Sequence, residues 1–401
     1  FHDLDEVLAS PQADDWKRSW WVKKRGFGDP TIEIDWSKVE RMDVPAVKKR
    51  YGPAGNFLQT KAGGEYKPKL DDFIKRHHPG WKTDSRRDIA LHQAPSVTMG
   101  HNYFSKEGST FLGFQKNLMY SPSPNIKTAD DLGLPKWKAT PEENIRMLRA
   151  AVRFFGGHDV ACVELDSNTS KLIFAKEGDG KDYVFRDAAE PQETATERVI
   201  PNRFKYVLVW SFLQPTELTL RSPSDLGLSA TMMSYSRMPH VFIQIQEFIY
   251  TLGYKALNNG TGNLAPSNPF GALSGVGEHA RMSFVLVSPE FGSMLRGMNR
   301  MLTDLELAPT KPIDAGINRF CETCKICATN YCPFDALPKG EPSWENNSIP
   351  GSPAGFKGYR LDVNKCVFCG ACMAGCPFNG KGSAVIHNLV KATASQTSLF
   401  N

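Results

Sequence analysis

The chain has 401 residues, 41% of them hydrophobic and 23% charged, enough for a large core and two or more structural units. Its formal net charge of +5 comes from lysines and arginines scattered among acids, which argues against a basic groove for nucleic acid. The longest apolar stretches, at 206–210 and 284–287, fall far short of the ~20 residues a bilayer-spanning helix needs.

Residues 1–139 are rich in Trp, Pro, Lys and Gly, with KRSWWVKKRGFGDPTIEIDW the densest aromatic segment. Periodicity is poor there, so long loops and short elements wrapped over another core are expected, with Trp16, Trp20, Trp21 and Trp36 as covering residues. Phe1 stands where a methionine would start a nascent chain, so a trimmed piece or a mature product without its leader is expected.

The pattern changes at Thr140, where TPEE supplies an N-cap, a proline in the first turn and a glutamate three residues after the cap. NIRMLRAAVRFFGG then reads as an amphipathic helix ended by glycines, and VACVEL as a strand. Cys162 in that strand reads as a small buried hydrophobe. Polar, glycine-bearing residues follow as an insertion at about 167–205, before FKYVLVWSF returns as a second buried strand. A long helix is predicted from about Ser229 to Leu252, with one proline near its start. The glycine- and asparagine-rich stretch after it can bring backbone close to a ligand. The predicted organisation is an N-terminal unit at 1–139, a core at 140–310 and a cysteine-bearing module at 311–401.

Eight of the nine cysteines fall in two short runs. CETCKICATNYCP places Cys321, Cys324, Cys327 and Cys332 in a C-x2-C-x2-C-x4-C-P pattern, and CVFCGACMAGCP places Cys366, Cys369, Cys372 and Cys376 in C-x2-C-x2-C-x3-C-P. Three cysteines two residues apart curl the backbone around a 4Fe-4S cubane, and the fourth, before proline, is carried to the neighbouring cluster, as in bacterial two-cluster ferredoxins. The predicted ligand sets are therefore Cys321, Cys324, Cys327 and Cys376 for one cluster, and Cys366, Cys369, Cys372 and Cys332 for the other. Zinc ribbons use paired cysteines and leave the third cysteine and the Cys-Pro without a role. The extra residue before Cys332 departs from the usual spacing. No Rossmann fingerprint or P-loop accompanies the runs, and no D-x-H-x-x-G stretch offers a histidine to cobalt.

KRSWWVKK with PTIEIDW, RFFGGHDVACVELD, EFIYTLGYKAL, GVGEHAR with SPEFGSMLR, and TDLELAPTKPID leading into FCETCKIC occur in one order over nearly the whole chain. Together they resemble the corrinoid and iron-sulfur reductive dehalogenases of organohalide-respiring bacteria, and most of all the chloroalkane enzymes acting on trichloromethane and trichloroethane. The resemblance implies an α/β (α+β) fold, with a nitroreductase-like core for base-off cobalamin and a C-terminal ferredoxin-like module with two 4Fe-4S clusters. It further implies a removed twin-arginine leader, a small integral membrane anchor protein as partner, a respiratory electron donor, and a place on the outer face of the cytoplasmic membrane.

In the family a tyrosine protonates the product, an arginine beside it favours the phenolate left behind, and an asparagine shapes the pocket. Carried over, these roles fall on Tyr235 in MMSYSRM, Arg296 in PEFGSMLR and Asn263 in GTGNLAP, with Asn258 and Asn259 close to the last. Taken without the family, Tyr235 reads as a core tyrosine, Arg296 as an ion-pair partner and Asn263 as a turn residue. Two other readings compete. An epoxyqueuosine reductase would be expected to carry a helical-repeat region for RNA, whereas only about 25 residues follow Cys376. A plain two-cluster electron carrier would bind no corrinoid.

Overall fold

The computed structural model describes residues 18–46, 66–81, 85–96, 130–257, 264–345, 354–362, 365–379 and 385–397. The tryptophan-rich stretch supplies strand β1 (Lys23–Lys24) and helices α1 (Tyr66–His77) and α2 (Arg86–Ser96). Helix α3 (Pro141–Phe154) opens on a reciprocal capping box: the Glu143 amide donates to Thr140 Oγ1 at 3.3 Å and the Thr140 amide to the Glu143 carboxylate at 2.8 Å. It leads into β2 (His158–Glu164). The insertion folds as β3 (Asp182–Arg186), β4 (Gln192–Glu193) and β5 (Glu197–Pro201), a small sheet ordered β3, β5, β4.

Strand β6 (Tyr206–Leu213) and the single turn α4 (Thr216–Thr219) precede the long helix α5 (Asp225–Thr251). This helix starts four residues before the predicted Ser229, because the Ser224 side chain caps it by accepting from the Gly227 amide. Its proline, Pro239, sits in mid-helix and not near the start. Then come β7 (Ala256–Leu257), α6 (Ser267–Leu273), β8 (Glu278–His279), β9 (Leu286–Val287), β10 (Leu295–Thr303) and β11 (Ile313–Asp314). The cysteine region carries α7 (Ile317–Thr323), α8 (Ile326–Thr329), α9 (Ala371–Ala374) and α10 (Val385–Gln396).

The central sheet is antiparallel, ordered β2, β6, β10, β7. Period-two alternation splits its side chains between two cores. Ala161, Val163, Val207 and Val209 face a core shared with α6 and the insertion. Val160, Cys162, Leu208, Trp210 and Phe212 face a second core with α3 and α5. A third core gathers Trp21, Ile317, Leu361, Met373 and Phe378 around the cysteine runs. The fold is therefore the expected mixed α/β type with a ferredoxin-like cysteine module.

The described N-terminal residues meet these cores at a few places, and the expected covering tryptophans are divided. Trp21 is buried, Trp36 packs at the edge of the first core, Trp20 is exposed, and Trp16 lies outside the described residues. Strand β1 pairs with β11, and Arg41 donates to the carbonyls of Ile173, Phe174 and Tyr183. Cys162 is fully buried, and burial pushes its thiol far above the ordinary range, fitting a packing role. Among the described residues, no helix is long and apolar enough to cross a membrane.

Candidate electron-transfer and catalytic site

The eight clustered cysteines line two cavities. Cys321, Cys324, Cys327 and Cys376 border one, with Phe320, Phe378, Met282 and Arg281. Cys332, Cys366, Cys369 and Cys372 border the other, whose remaining wall is mostly apolar and includes Phe284, Tyr331 and Phe368. Each set of four thus draws three residues from one run and one from the other. Among the described residues, no group of three or more His, Cys, Asp or Glu is placed to hold a single metal ion.

The donor chemistry fits an iron-sulfur cluster at each place. Burial pushes the thiols of Cys327, Cys369 and Cys376 up to about 12 and that of Cys366 to about 11, with Cys321 and Cys372 raised well above the usual range. Sulfurs so placed become thiolates when a cationic metal centre replaces the water they have lost. Backbone amides already point at them: Ala336 donates to Cys332 Sγ at 3.2 Å and Phe368 to Cys366 Sγ at 3.4 Å.

The loop around β8 anchors the first run. Glu278, fully enclosed, accepts from the amides of Ala315, Ile317 and Asn318, and so holds the N-terminus of α7. Burial holds its carboxyl above the ordinary value. Arg281 donates to the carbonyls of Cys321, Glu322, Cys324, Pro338 and Gly340. The second run is fastened to the segment before β10, where the Ser293 amide donates to Asn379 Oδ1 at 2.8 Å and its hydroxyl reaches the Met373 carbonyl at 3.0 Å.

Tyr235 and Arg296 meet at the end of the sheet nearest that fastening. Arg296, opposite Phe212 in the β10–β6 register, points from the sheet toward α5, and its guanidinium carbon lies 5.7 Å from the Tyr235 ring centroid. Its Nε donates to Gln214 Oε1 at 3.0 Å, while Nη2 donates to Thr231 Oγ1 at 3.1 Å and reaches Met373 Sδ at 3.4 Å. Gln214 Nε2 closes the triangle on Thr231 Oγ1 at 3.1 Å.

Two backbone features aim this pair. The β10 register slips between Arg296 and Asn299, a bulge at which Gly297 adopts φ +62°. That positive φ favours glycine, and a Cβ there would also lie 2.3 Å from Met238 Cε, so the methionine end would have to shift. On α5, Pro239 has no amide hydrogen to give the Tyr235 carbonyl four residues earlier, which interrupts the helical ladder at the tyrosine.

Asn263, Asn258 and Asn259 lie outside the described residues. The other tyrosines of this segment are placed differently: Tyr250 is buried, and Tyr254 donates to the Trp137 carbonyl at 2.9 Å. Tyr250 lies 15 residues beyond Tyr235 on the same helix, roughly 22 Å at ~1.5 Å per residue, and Tyr254 follows the helix end.

A family model described as the reductive dehalogenase subunit matches residues 17–194 and 180–307, and one for a 4Fe-4S dicluster domain matches residues 320–379. The chain is 31% identical to the chloroethene reductive dehalogenase of Dehalococcoides mccartyi strain VS over 458 aligned positions, covering 100% of this chain and 87% of that protein. The chain belongs to the reductive dehalogenase family.

The tetrachloroethene reductive dehalogenase of Sulfurospirillum multivorans is 35% identical over 55% of this chain and 44% of its own length. Among solved structures, a tagged catabolic reductive dehalogenase superposes with a TM-score of 0.62 at 19% identity, over 98% of this chain and 49% of that one. Another, described as suggesting a mechanism for B12-dependent dehalogenation, gives 0.63 at 19% over the same shares. The chain spans about half the length of those solved proteins, and at this identity they show a shared fold. In this reductive dehalogenase chain, Gln214, Thr231 and Met373 around Arg296, and Glu278 and Arg281 behind the first cysteine run, carry no motif of their own. The one signal for the last two was the block GVGEHAR.

Proposed function

We propose that the protein is a respiratory reductive dehalogenase that replaces chlorine by hydrogen on a small chlorinated hydrocarbon. The observation that carries this reading is Arg296, whose guanidinium touches both the Tyr235 ring and Met373 inside the second cysteine run. On this reading the proton donor and the electron supply meet at one side chain. Two 4Fe-4S clusters, one per tetrad, bring electrons singly to this place. A corrinoid, when bound, would supply the low-valent metal chemistry that reduces a carbon–halogen bond. Base-off cobalamin is the proposed corrinoid, on the resemblance of the sequence blocks.

The chain's own residues do the rest. The Tyr235 hydroxyl gives its proton to carbon, and the neighbouring guanidinium stabilises the phenolate that remains. Gln214 and Thr231 fix the guanidinium so that its charge is in place before the proton moves. Chloroalkanes such as chloroform and trichloroethane are the proposed substrates, on the resemblance of the sequence blocks; the relatives named above act on chloroethenes. A small integral membrane anchor and a respiratory donor complete the system on the outer face of the cytoplasmic membrane. Turnover of chloromethanes, chloroethanes and chloroethenes with reduced methyl viologen tests the proposal: chloride release from the first two classes is expected, and release from none of the three contradicts it.

A further inference from the structure

The two cysteine-lined cavities differ in charge. Among the described residues, none that is ionisable other than the cysteines and Tyr331 lines the cavity of Cys332, Cys366, Cys369 and Cys372. The cavity of Cys321, Cys324, Cys327 and Cys376 has Arg281 in its wall. Arg281 is 0% exposed, its guanidinium lies 4.2 Å over the Tyr359 ring, and every hydrogen bond it makes goes to a backbone carbonyl or to the Tyr359 hydroxyl. Among the described residues no carboxylate pairs with it. A second buried cation stands on the same side: Lys391 on α10 is 6% exposed, donates to the Pro289 carbonyl at 3.0 Å and lies 5.9 Å from the ring of Phe378, which lines the same cavity beside Cys376.

A guanidinium stays charged at any pH the protein meets, and burying one without a partner is costly. Carbonyl dipoles offset part of that cost. The remaining compensation is anionic, and the four thiolates of a bound cluster supply it. We infer that Arg281, seconded by Lys391, is the built-in counter-charge of the first tetrad and raises the reduction potential of the cluster held there, leaving the other cluster unbiased. Reduction adds one electron to the cluster with no bond made or broken, so the added negative charge is stabilised by cations held in a medium of low dielectric. The inference rests on the assignment of a 4Fe-4S cluster to each tetrad.

The test is an anaerobic potentiometric titration of the full-length holoprotein with dithionite, read by electron paramagnetic resonance, for wild type, Arg281→Met, Arg281→Lys and Lys391→Met. Metal analysis comes first: zinc in place of iron in the wild type overturns the cluster assignment itself and is recognised before any potential is read. With iron loaded, Arg281→Met is expected to move one of the two reduction waves to lower potential by tenfold or more in the one-electron equilibrium, about 59 mV, leaving the other in place. Lys391→Met moves the same wave less far, and Arg281→Lys keeps it near wild type. Unmoved waves in both neutral variants at full iron content overturn the inference, and so does Arg281→Lys shifting as far as Arg281→Met, since geometry and not charge would then set the potential. If Arg281→Met fails to load the first cluster, Lys391→Met decides: a lowered wave supports the counter-charge, and an unmoved one overturns it.

Discussion

The guanidinium of Arg296 reaches the thioether of Met373 at 3.4 Å, so a strand of the central sheet touches the cysteine run directly, three residues before Cys376. Met373 is buried, and its carbonyl is held by Ser293 and Asn379. Met373→Leu keeps the volume and removes the sulfur, a change that ordinarily costs less than about 1.5 kcal/mol. The expected outcome is full iron content, a small loss of stability and a several-fold drop in turnover as Arg296 loses one of its three fixings. Iron analysis, chemical denaturation and chloride release measure the three effects. Unchanged turnover would show that the contact is packing alone.

Thr231 accepts from both Arg296 and Gln214. Thr231→Val keeps the β-branched shape and leaves two donors unmatched, and an unmade bond of this kind costs ~1–3 kcal/mol. If that cost falls on the geometry of Arg296, turnover drops about tenfold or more while iron and cobalt loading stay normal. A fall in cofactor loading instead of turnover would place Thr231 in folding and not in positioning.

Gly297 and Thr140 make a contrasting pair. Gly297→Ala forces a side chain into φ +62° and against Met238, a strain of ~1–3 kcal/mol, and it moves Arg296 next door, so stability and turnover should fall together. Thr140→Ala removes a helix cap worth about 1 kcal/mol at the start of α3, remote in sequence from the pair, so only stability should fall. Denaturation midpoints and rates measured on both proteins check the contrast.

Cluster number is open to direct count. Two tetrads imply about eight irons per chain, and Cys366→Ala should lower this toward about four. Cys332→Ala tests the ligand that follows the unusual four-residue spacing and should do the same. Eight irons retained in the Cys332 variant would mean that another group serves in its place.

Local chemistry was legible in the sequence. The capping box at Thr140, the apolar run of the buried strand Tyr206–Leu213 and the division of the cysteines into two fours all depend on residues close together in the chain, or on a spacing that the backbone must follow. The start of α5 was misplaced because Ser224 and Asp225 precede its apolar pattern and mark the helix only through a cap. The surroundings of Arg296 were not legible, since its partners lie 82, 65 and 77 positions away in Gln214, Thr231 and Met373. Arg281 was hidden for the same reason: its acceptors are main-chain carbonyls 40 or more positions on, and a carbonyl carries no sequence signal.

Tyr235 as proton donor is tested most directly by single-turnover and steady-state dehalogenation in Tyr235→Phe, with iron and cobalt measured on the same preparation. The ring and its contact with Arg296 are kept and only the hydroxyl is lost. General acid catalysis of this kind is worth ~10²- to 10⁴-fold, so turnover should fall by that factor while both metals stay at wild-type levels and the reduced cobalt still forms. Near-normal turnover with full loading would contradict the assignment and show that the proton comes from elsewhere.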